Sequence, residues 1–375
     1  MMYHRTFIIV TALLFLCNLN YYACNGLLST KSSGRVGHHT TNTLPLIQLN
    51  LFDNTNNNNN IFENLFSSSQ QSKQQQWPKV EAPPNFVTPE PQPLTVTEST
   101  DIKGLVTASI ALALRLATGA FVLGWQLDTI LAPTEDDDGN EIYSLKLGPL
   151  RIRDSSSVLN QASMQPVQTI VLYENESCPR CKRVREMMNL LDITYECRPC
   201  FDDIDSLPYI DDPNMKKKTG QQQQEAAIIS GDDNIIDHLL NEYGPPTSLY
   251  DGKALWPITF KQFALITSQL AISLRGNPGK TQQPNARSDN MNMKPLELWA
   301  YECSPFVKPV KEKLSSLGLP HRIVSCSRGS RNRDRMVANT GRFQVPYLVD
   351  DNTGIEMFEG AEIVEYLEAV YTVKE

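Results

Sequence analysis

The chain has 375 residues, with 34 basic and 42 acidic side chains and a formal net charge of −8. At roughly 150 residues per domain this length predicts two or three domains, and the acidic balance argues against nucleic acid as a partner, because phosphate binding needs a cationic face. Hydrophobic residues make up 41 % and charged residues 20 %, both low for a globular chain, so an uncharged polar segment must dilute them. Eight cysteines are too few for a disulfide-built scaffold of this size.

Residues 1–25 read as a signal peptide: His4 and Arg5 precede an apolar run from Phe7 to Cys17, too short to span a bilayer, and small residues follow at Ala23 and Cys24. No acidic residue occurs before Asp53, and Lys31 to Thr43 is basic and rich in Ser and Thr. This resembles the signal-plus-transit leader of algae with complex plastids and implies a plastid destination, with secretion as the alternative. Residues 26–100 carry Asn56 to Asn60, Ser67 to Ser69, a Gln-rich stretch and a Pro-rich run from Pro78 to Pro93. Such segments cannot bury enough apolar surface to offset ordering entropy, so a disordered leader is expected.

Residues 101–164 read as a helical lead-in with short strands. Leu105 to Trp125 is apolar with Arg115 as its only charge. In a membrane span that arginine would cost about 2.5–3.5 kcal/mol, so a helix buried against the first domain is the better reading, with Gly119 and Gly124 allowing close packing.

Two segments then match at a constant offset of 126: Glu176 aligns with Glu302, Pro179 with Pro305, Lys182 with Lys308, Glu186 with Glu312, Leu191 with Leu317 and Cys200 with Cys326. Each reads as a buried strand, a turn with Pro at the first helical position, an amphipathic helix and a second strand. The second copy continues through a helix, Val345-Pro346-Tyr347, a hairpin and a final helix. The two domains fall at 165–245 and 295–375, joined by a helical linker, 246–294.

At these residues the chain resembles tandem glutathione S-transferase N-terminal, glutaredoxin-like domains of the thioredoxin superfamily, similar to tandem proteins of plant and algal plastids. Strand–Cys178-Pro-Arg-Cys181–helix, Val345-Pro346-Tyr347 and Glu359-Gly360 carry the resemblance. It implies an α/β fold of two thioredoxin-like domains, glutathione as co-substrate, a cis bond before Pro346, and Pro208 shaping the site of the first copy. It also implies that the backbone at Val345 and the Glu359 carboxylate receive a glutathione-like peptide, while Gly360 stands where Ser is usual.

Cys178 and Cys181 open a helix, where unpaired N–H groups and the macrodipole favour a thiolate at the first position. Lys182, Arg183 and Arg185 add positive potential by this reading. Cys178 would attack a disulfide and Cys181 resolve the mixed disulfide, with glutathione or protein thiols and disulfides as partners. In the second copy Ser304 replaces Cys178 and Val307 replaces Cys181; Ser304 could still donate a hydrogen bond to a glutathione thiolate, and Cys303 lacks a resolving partner. The first copy has only eight residues from Cys200 to Pro208, against twenty from Cys326 to Pro346, so its middle helix is largely missing. A non-catalytic binding or scaffold module is therefore an alternative function. A zinc-stabilised module is a third, because Cys178, Cys181, Cys197 and Cys200 have zinc-ligand spacing. Asn175-Glu-Ser177 is a glycosylation sequon two residues before the thiol pair.

Overall fold

The computed structural model describes residues 77–91, 102–130, 143–147, 150–159, 165–202, 204–215 and 228–373. The expected signal peptide, residues 26–76 and 92–100 of the expected leader, and residues 216–227 lie outside the described residues. Residues 77–91, read from sequence as part of the disordered leader, instead lie against the second copy. Val80 is buried and the Phe86 ring meets Tyr366 with centroids 5.2 Å apart.

In chain order the elements are α1 (Ile102–Leu114), β1 (Trp125–Ile130), β2 (Leu145–Leu147), β3 (Leu150–Ser156), β4 (Ile170–Glu174), α2 (Pro179–Leu190), β5 (Tyr195–Pro199), β6 (Tyr209–Asp211), β7 (Ile228–Ser230) and α3 (Asp232–Tyr243). Then follow α4 (Lys261–Leu274), β8 (Leu296–Ala300), α5 (Lys308–Ser316), β9 (His321–Ser325), α6 (Asn332–Thr340), β10 (Tyr347–Asp350), β11 (Ile355–Phe358) and α7 (Gly360–Tyr371). Strand β4 starts the first thioredoxin-like copy and β8 the second.

The two copies share one sheet. Its strand order is β11-β10-β8-β9-β5-β4-β6-β7, an eight-stranded sheet in which β5 pairs antiparallel with β9. Glu196 faces Arg322 in that register, with Tyr195 opposite Ile323 and Cys197 opposite His321. Glu196 and Arg322 are equivalent residues of the repeat, so a pseudo-two-fold axis passes between them. Each copy thereby covers the edge strand that the other would leave open.

Helices α1 and α4 obey the same symmetry. Gly104 to Gly119 aligns with Ala264 to Gly279 at an offset of 160, matching Leu105 with Leu265, Thr107 with Thr267, Ala111 with Ala271, Leu114 with Leu274 and Arg115 with Arg275. The repeat unit is therefore a helix plus a thioredoxin-like copy. The offset exceeds 126 by 34 because the segment holding β1–β3 is inserted after α1. That insertion crosses to the second copy: Asp154 accepts from Trp125 Nε1 at 2.8 Å and from Arg328 and Arg333 at 3.3 Å, and Arg153 pairs with Asp334.

The apolar stretch Leu105–Trp125 is not one helix. Helix α1 stops at Leu114, and Leu116 and Ala117 have positive φ, 51° and 56°. Gly119 and Gly124 also have positive φ, and a Cβ on Gly119 would stand 3.2 Å from that of Glu302, so this glycine serves a turn against the second copy rather than helix packing. No helix among the described residues is long and apolar enough to cross a membrane.

Buried ion pairs cross the pseudo-two-fold in matched sets. Lys182 binds Glu302 at 3.1 Å and Lys308 binds Glu176. Arg185 binds Glu302 at 3.0 Å and Glu176 at 3.2 Å, while Lys311 reaches both glutamates. Arg115 binds Glu186 and reaches Thr267 at 2.6 Å, and Arg275 binds Glu312 and reaches Thr107 at 2.9 Å. Each copy also ends with a buried aspartate tying its hairpin to its last helix. Asp212 is held by His238, Tyr243 and Asn214, and Asp350 by Tyr366, Tyr371 and Asn352.

Burial alone would raise the Glu176 carboxyl, but Arg185, Lys308 and Lys311 outweigh it and hold the group at about 2. A folded-state value below the unfolded one gives stability that is fully present above the ordinary carboxylate range and lost as pH falls through it towards 2. Glu302→Gln leaves Lys182, Arg185 and Lys311 short of a carboxylate in the interior. It is expected to cost about 3–5 kcal/mol, read as a lowered denaturant midpoint in the full chain, and to shrink the loss of stability between pH 5 and pH 2.

Candidate functional site

In the first copy β4 delivers the chain to α2 through a turn, and Pro179 occupies the first helical position, where its missing N–H costs nothing. Cys178 is the N-cap residue with extended backbone, φ −92° and ψ 118°, and its sulfur accepts the Cys181 N–H at 3.3 Å. The Cys178 thiol is brought down to about 7. The hydrogen bond from Cys181 is the main cause, working against burial and helped by the N–H groups of Cys181 and Arg180 and the Arg180 charge. Cys181 is fully buried, and burial followed by its bond to Cys178 pushes its thiol well above the ordinary range. The pair is therefore split into an acidic outer thiol and a protonated inner one.

The cations that lower Cys178 are not those expected from sequence. Lys182 and Arg185 face Glu302, Arg183 faces Asp232 and Asp233, and all three are buried in those pairs. A helix places successive residues on different faces, and of these neighbours Arg180 makes the largest cationic contribution at the sulfur.

Leu207 packs on both thiols, flanked by Tyr173, Cys200 and Tyr209, and the Tyr173 and Tyr209 rings stack with centroids 4.5 Å apart. The Leu207–Pro208 bond is cis, and the Pro208 carbonyl accepts the Gly231 N–H at 3.0 Å. Between Cys200 and Pro208 the described chain forms only a 3-10 turn, Ile204–Ser206, whose Ile204 carbonyl accepts the Leu207 N–H at 3.3 Å.

The second copy repeats the frame without the thiols. Ser304 Oγ accepts the Val307 N–H at 3.4 Å, the bond Cys178 makes in the first copy, and Ser304 is buried. Val345–Pro346 is also cis. Glu359 caps α7 with φ 73° and accepts from Gln344 Nε2 at 2.7 Å. Gly360 has a steric cause: a Cβ there would lie 2.8 Å from the Phe306 carbonyl oxygen, so serine does not fit this backbone. Cys303 is half-buried, and desolvation raises its thiol above the ordinary range.

Cys197 points into the main core from β5, while Cys178, Cys181 and Cys200 sit in the cluster with Leu207, so the four cysteines do not converge as a zinc set would. All six described cysteines are free. Asn175 is fully buried and its Nδ2 donates to the Cys200 carbonyl at 2.9 Å, so the sequon is closed to a glycan in this fold. A pocket lies away from the thiols, on the pseudo-two-fold between Ala111, Ala271, Lys182 and Lys308. The bound carboxylates of its two lysines leave it no free recognition group.

Strand, helix, strand, cis-proline and hairpin define each copy as a thioredoxin-like domain, and the first copy's helix carries the thiols. The sequence model of the glutathione S-transferase N-terminal domain matches residues 172–247 and again 298–374. Both segments belong to that family, and the chain is a tandem glutathione S-transferase N-terminal-domain protein. No curated protein and no solved structure matches the chain.

The thiol split has a direct consequence. Full-chain protein treated with iodoacetamide across pH should alkylate at Cys178 with a midpoint near 7. Cys181, Cys197 and Cys326 should stay unmodified at neutral pH, as peptide mass spectrometry will read. A Cys178 midpoint at the ordinary thiol value of about 8.5 would contradict the site as described.

Proposed function

We propose that the first copy is a glutaredoxin-like thiol–disulfide oxidoreductase acting on glutathione mixed disulfides or protein disulfides. The observation that carries this reading is the split pair at the start of α2, with Cys178 near 7 and Cys181 held protonated. Cys178 thiolate attacks one sulfur of a substrate disulfide, forming a mixed disulfide and releasing one thiolate, which takes up a proton. Cys181 then attacks Cys178, closing the Cys178–Cys181 disulfide and releasing the second thiol. The substrate gains two electrons and the protein dithiol loses them; glutathione or another thiol restores the dithiol. Pro208 shapes the wall beside Cys178.

In the second copy Ser304, Val345, Pro346 and Glu359 frame a glutathione-type peptide without redox chemistry. Ser304 would donate to the peptide's thiolate and Glu359 would receive its γ-glutamyl amine. A second reading, a thioredoxin-fold binding module, draws on two observations. Cys178 is only 3 % exposed and the Leu207 N–H is already engaged. We also infer a plastid destination from the leader, and residues 1–100 fused to a fluorescent protein should carry it into plastids rather than the medium.

The deciding measurement is reduction of a glutathione mixed disulfide by the full chain. Cys178→Ser should fall to background, while Ser304→Ala keeps turnover. Equal turnover by wild type and Cys178→Ser would remove the redox reading and leave the binding module.

A further inference from the structure

Helices α1 and α4 pack on each other, and α4 lies on α2. The pair runs antiparallel: Arg115 at the end of α1 reaches Thr267 in the middle of α4, and Arg275 at the end of α4 reaches Thr107 near the start of α1. Their guanidinium charge is turned inward onto Glu186 and Glu312, with Ala108, Ala264 and Ala271 buried beneath. The opposite side holds large apolar side chains in water. Phe263, Ile266, Leu270 and Leu274 recur at helical spacing and share one face of α4. Ile266 is 61 % exposed and Leu270 53 %, and Ile110, the repeat equivalent of Leu270, is exposed too. In the turn before α4, Phe260 is 55 % exposed, and the exposed Trp256 ring meets Phe263 with centroids 5.0 Å apart. A contiguous apolar face of this kind marks a site of docking.

Charge separates the occupants this face could take. Residues 102–127 hold Lys103 and Arg115 and no acidic residue. Residues 252–288 hold Lys253, Lys261, Arg275, Lys280 and Arg287 and again none, in a chain whose net charge is −8. Lys103 opens α1 and Lys253 stands shortly before Trp256, both exposed. A second copy laid on the face by a two-fold would use the same two segments on both sides, so these lysines would meet no carboxylate there. A layer of anionic headgroups supplies the missing negative charge, and the acyl boundary beneath it takes the aliphatic and ring surface. Tryptophan at the edge of such a face suits the membrane–water boundary. Helices α1 and α4 have 13 and 14 residues. At about 20 Å each they are too short to cross a bilayer and long enough to lie along its surface.

We propose that the outer face of α1 and α4 docks the protein on a lipid surface bearing anionic headgroups. Ile110, Ile266, Leu270, Trp256 and Phe260 enter the boundary, and Lys103 and Lys253 meet the headgroup phosphates. The contact is peripheral and salt-sensitive, because the apolar side chains stand on the protein surface and the cations are exposed. It does not depend on the redox reading of Cys178 and Cys181.

The test mixes the full chain with vesicles of phosphatidylcholine alone or of phosphatidylcholine with phosphatidylglycerol, and measures affinity from the protein that floats with them. Wild type should bind the anionic vesicles, more weakly as salt rises. The double variant Ile266→Glu, Leu270→Glu should bind roughly tenfold or more weakly, since it loses two exposed apolar side chains and gains two like charges. Its denaturant midpoint should stay close to that of wild type, because both positions face solvent. The double variant Lys103→Ser, Lys253→Ser keeps the apolar face and should lose roughly fivefold or more; it decides if the glutamate variant does not fold. The apolar run Phe7 to Cys17 is common to every chain compared, so the difference between them reads the helix face. Equal affinity of wild type and the variants, or a wild type that stays off the anionic vesicles, would overturn the proposal. So would a wild type that self-associates without vesicles and turns monomeric in the glutamate variant, which makes a second copy the occupant.

Discussion

Two glutamates exchanged across a pseudo-two-fold axis hold this molecule together. Glu176 and Glu302 stand in the turns before α2 and α5, both almost without exposure, and each takes a lysine from the other copy. A buried carboxylate costs several kcal/mol in lost hydration unless cations and hydrogen bonds replace the water. Neither copy supplies enough of them alone. Arg185 and Lys311 each reach both glutamates, so the four residues form a set that is complete only when both copies are folded. Edge pairing of β5 with β9 adds a second dependence, because either strand by itself would present open backbone groups. The folding unit is the pair, although each half carries a domain's worth of elements.

On this common frame the halves have diverged in opposite directions. The second copy keeps α6, which lays Met336 over Trp299, Val324, Tyr347 and Phe358. In the first copy the described chain between β5 and β6 has only a 3-10 turn, and the equivalent face, with Tyr173 and Tyr209, stays half-buried beside the thiols. The first copy gained the β1–β3 insertion after α1, which fastens onto α6 of the second through Asp154 and Arg333. Chemistry and covering are thus divided between the copies, and the insertion joins the divided parts.

Much of this was legible in the sequence. The 126-residue offset showed the duplication, Cys178-Pro-Arg-Cys181 was read at the start of a helix, where it stands, and the resemblance implied the cis bond before Pro346. The α1–α4 match was hidden because the insertion moves its offset to 160, away from the 126 that joins the thioredoxin-like copies. Lys182, Arg183 and Arg185 misled for a related reason. Beside Cys178 in sequence they read as local potential, yet the partners of Lys182 and Arg185 lie more than 100 residues away at Glu302.

The acidity of Cys178 follows from this allocation of charge. With Lys182, Arg183 and Arg185 committed to carboxylates, the thiolate depends on groups fixed by the helix itself, the Cys181 and Arg180 N–H groups and the Cys181 thiol. Those donors keep their geometry as long as the first turn of α2 is held, and that turn is anchored by the ion pairs of its neighbours to the second copy. Arg185 joins the two copies at this helix, since one guanidinium binds Glu302 across the interface and Glu174 at the end of β4. The duplicated ionic frame therefore positions the site as well as the fold, and a copy separated from its partner would lose the orientation of α2 that makes Cys178 acidic.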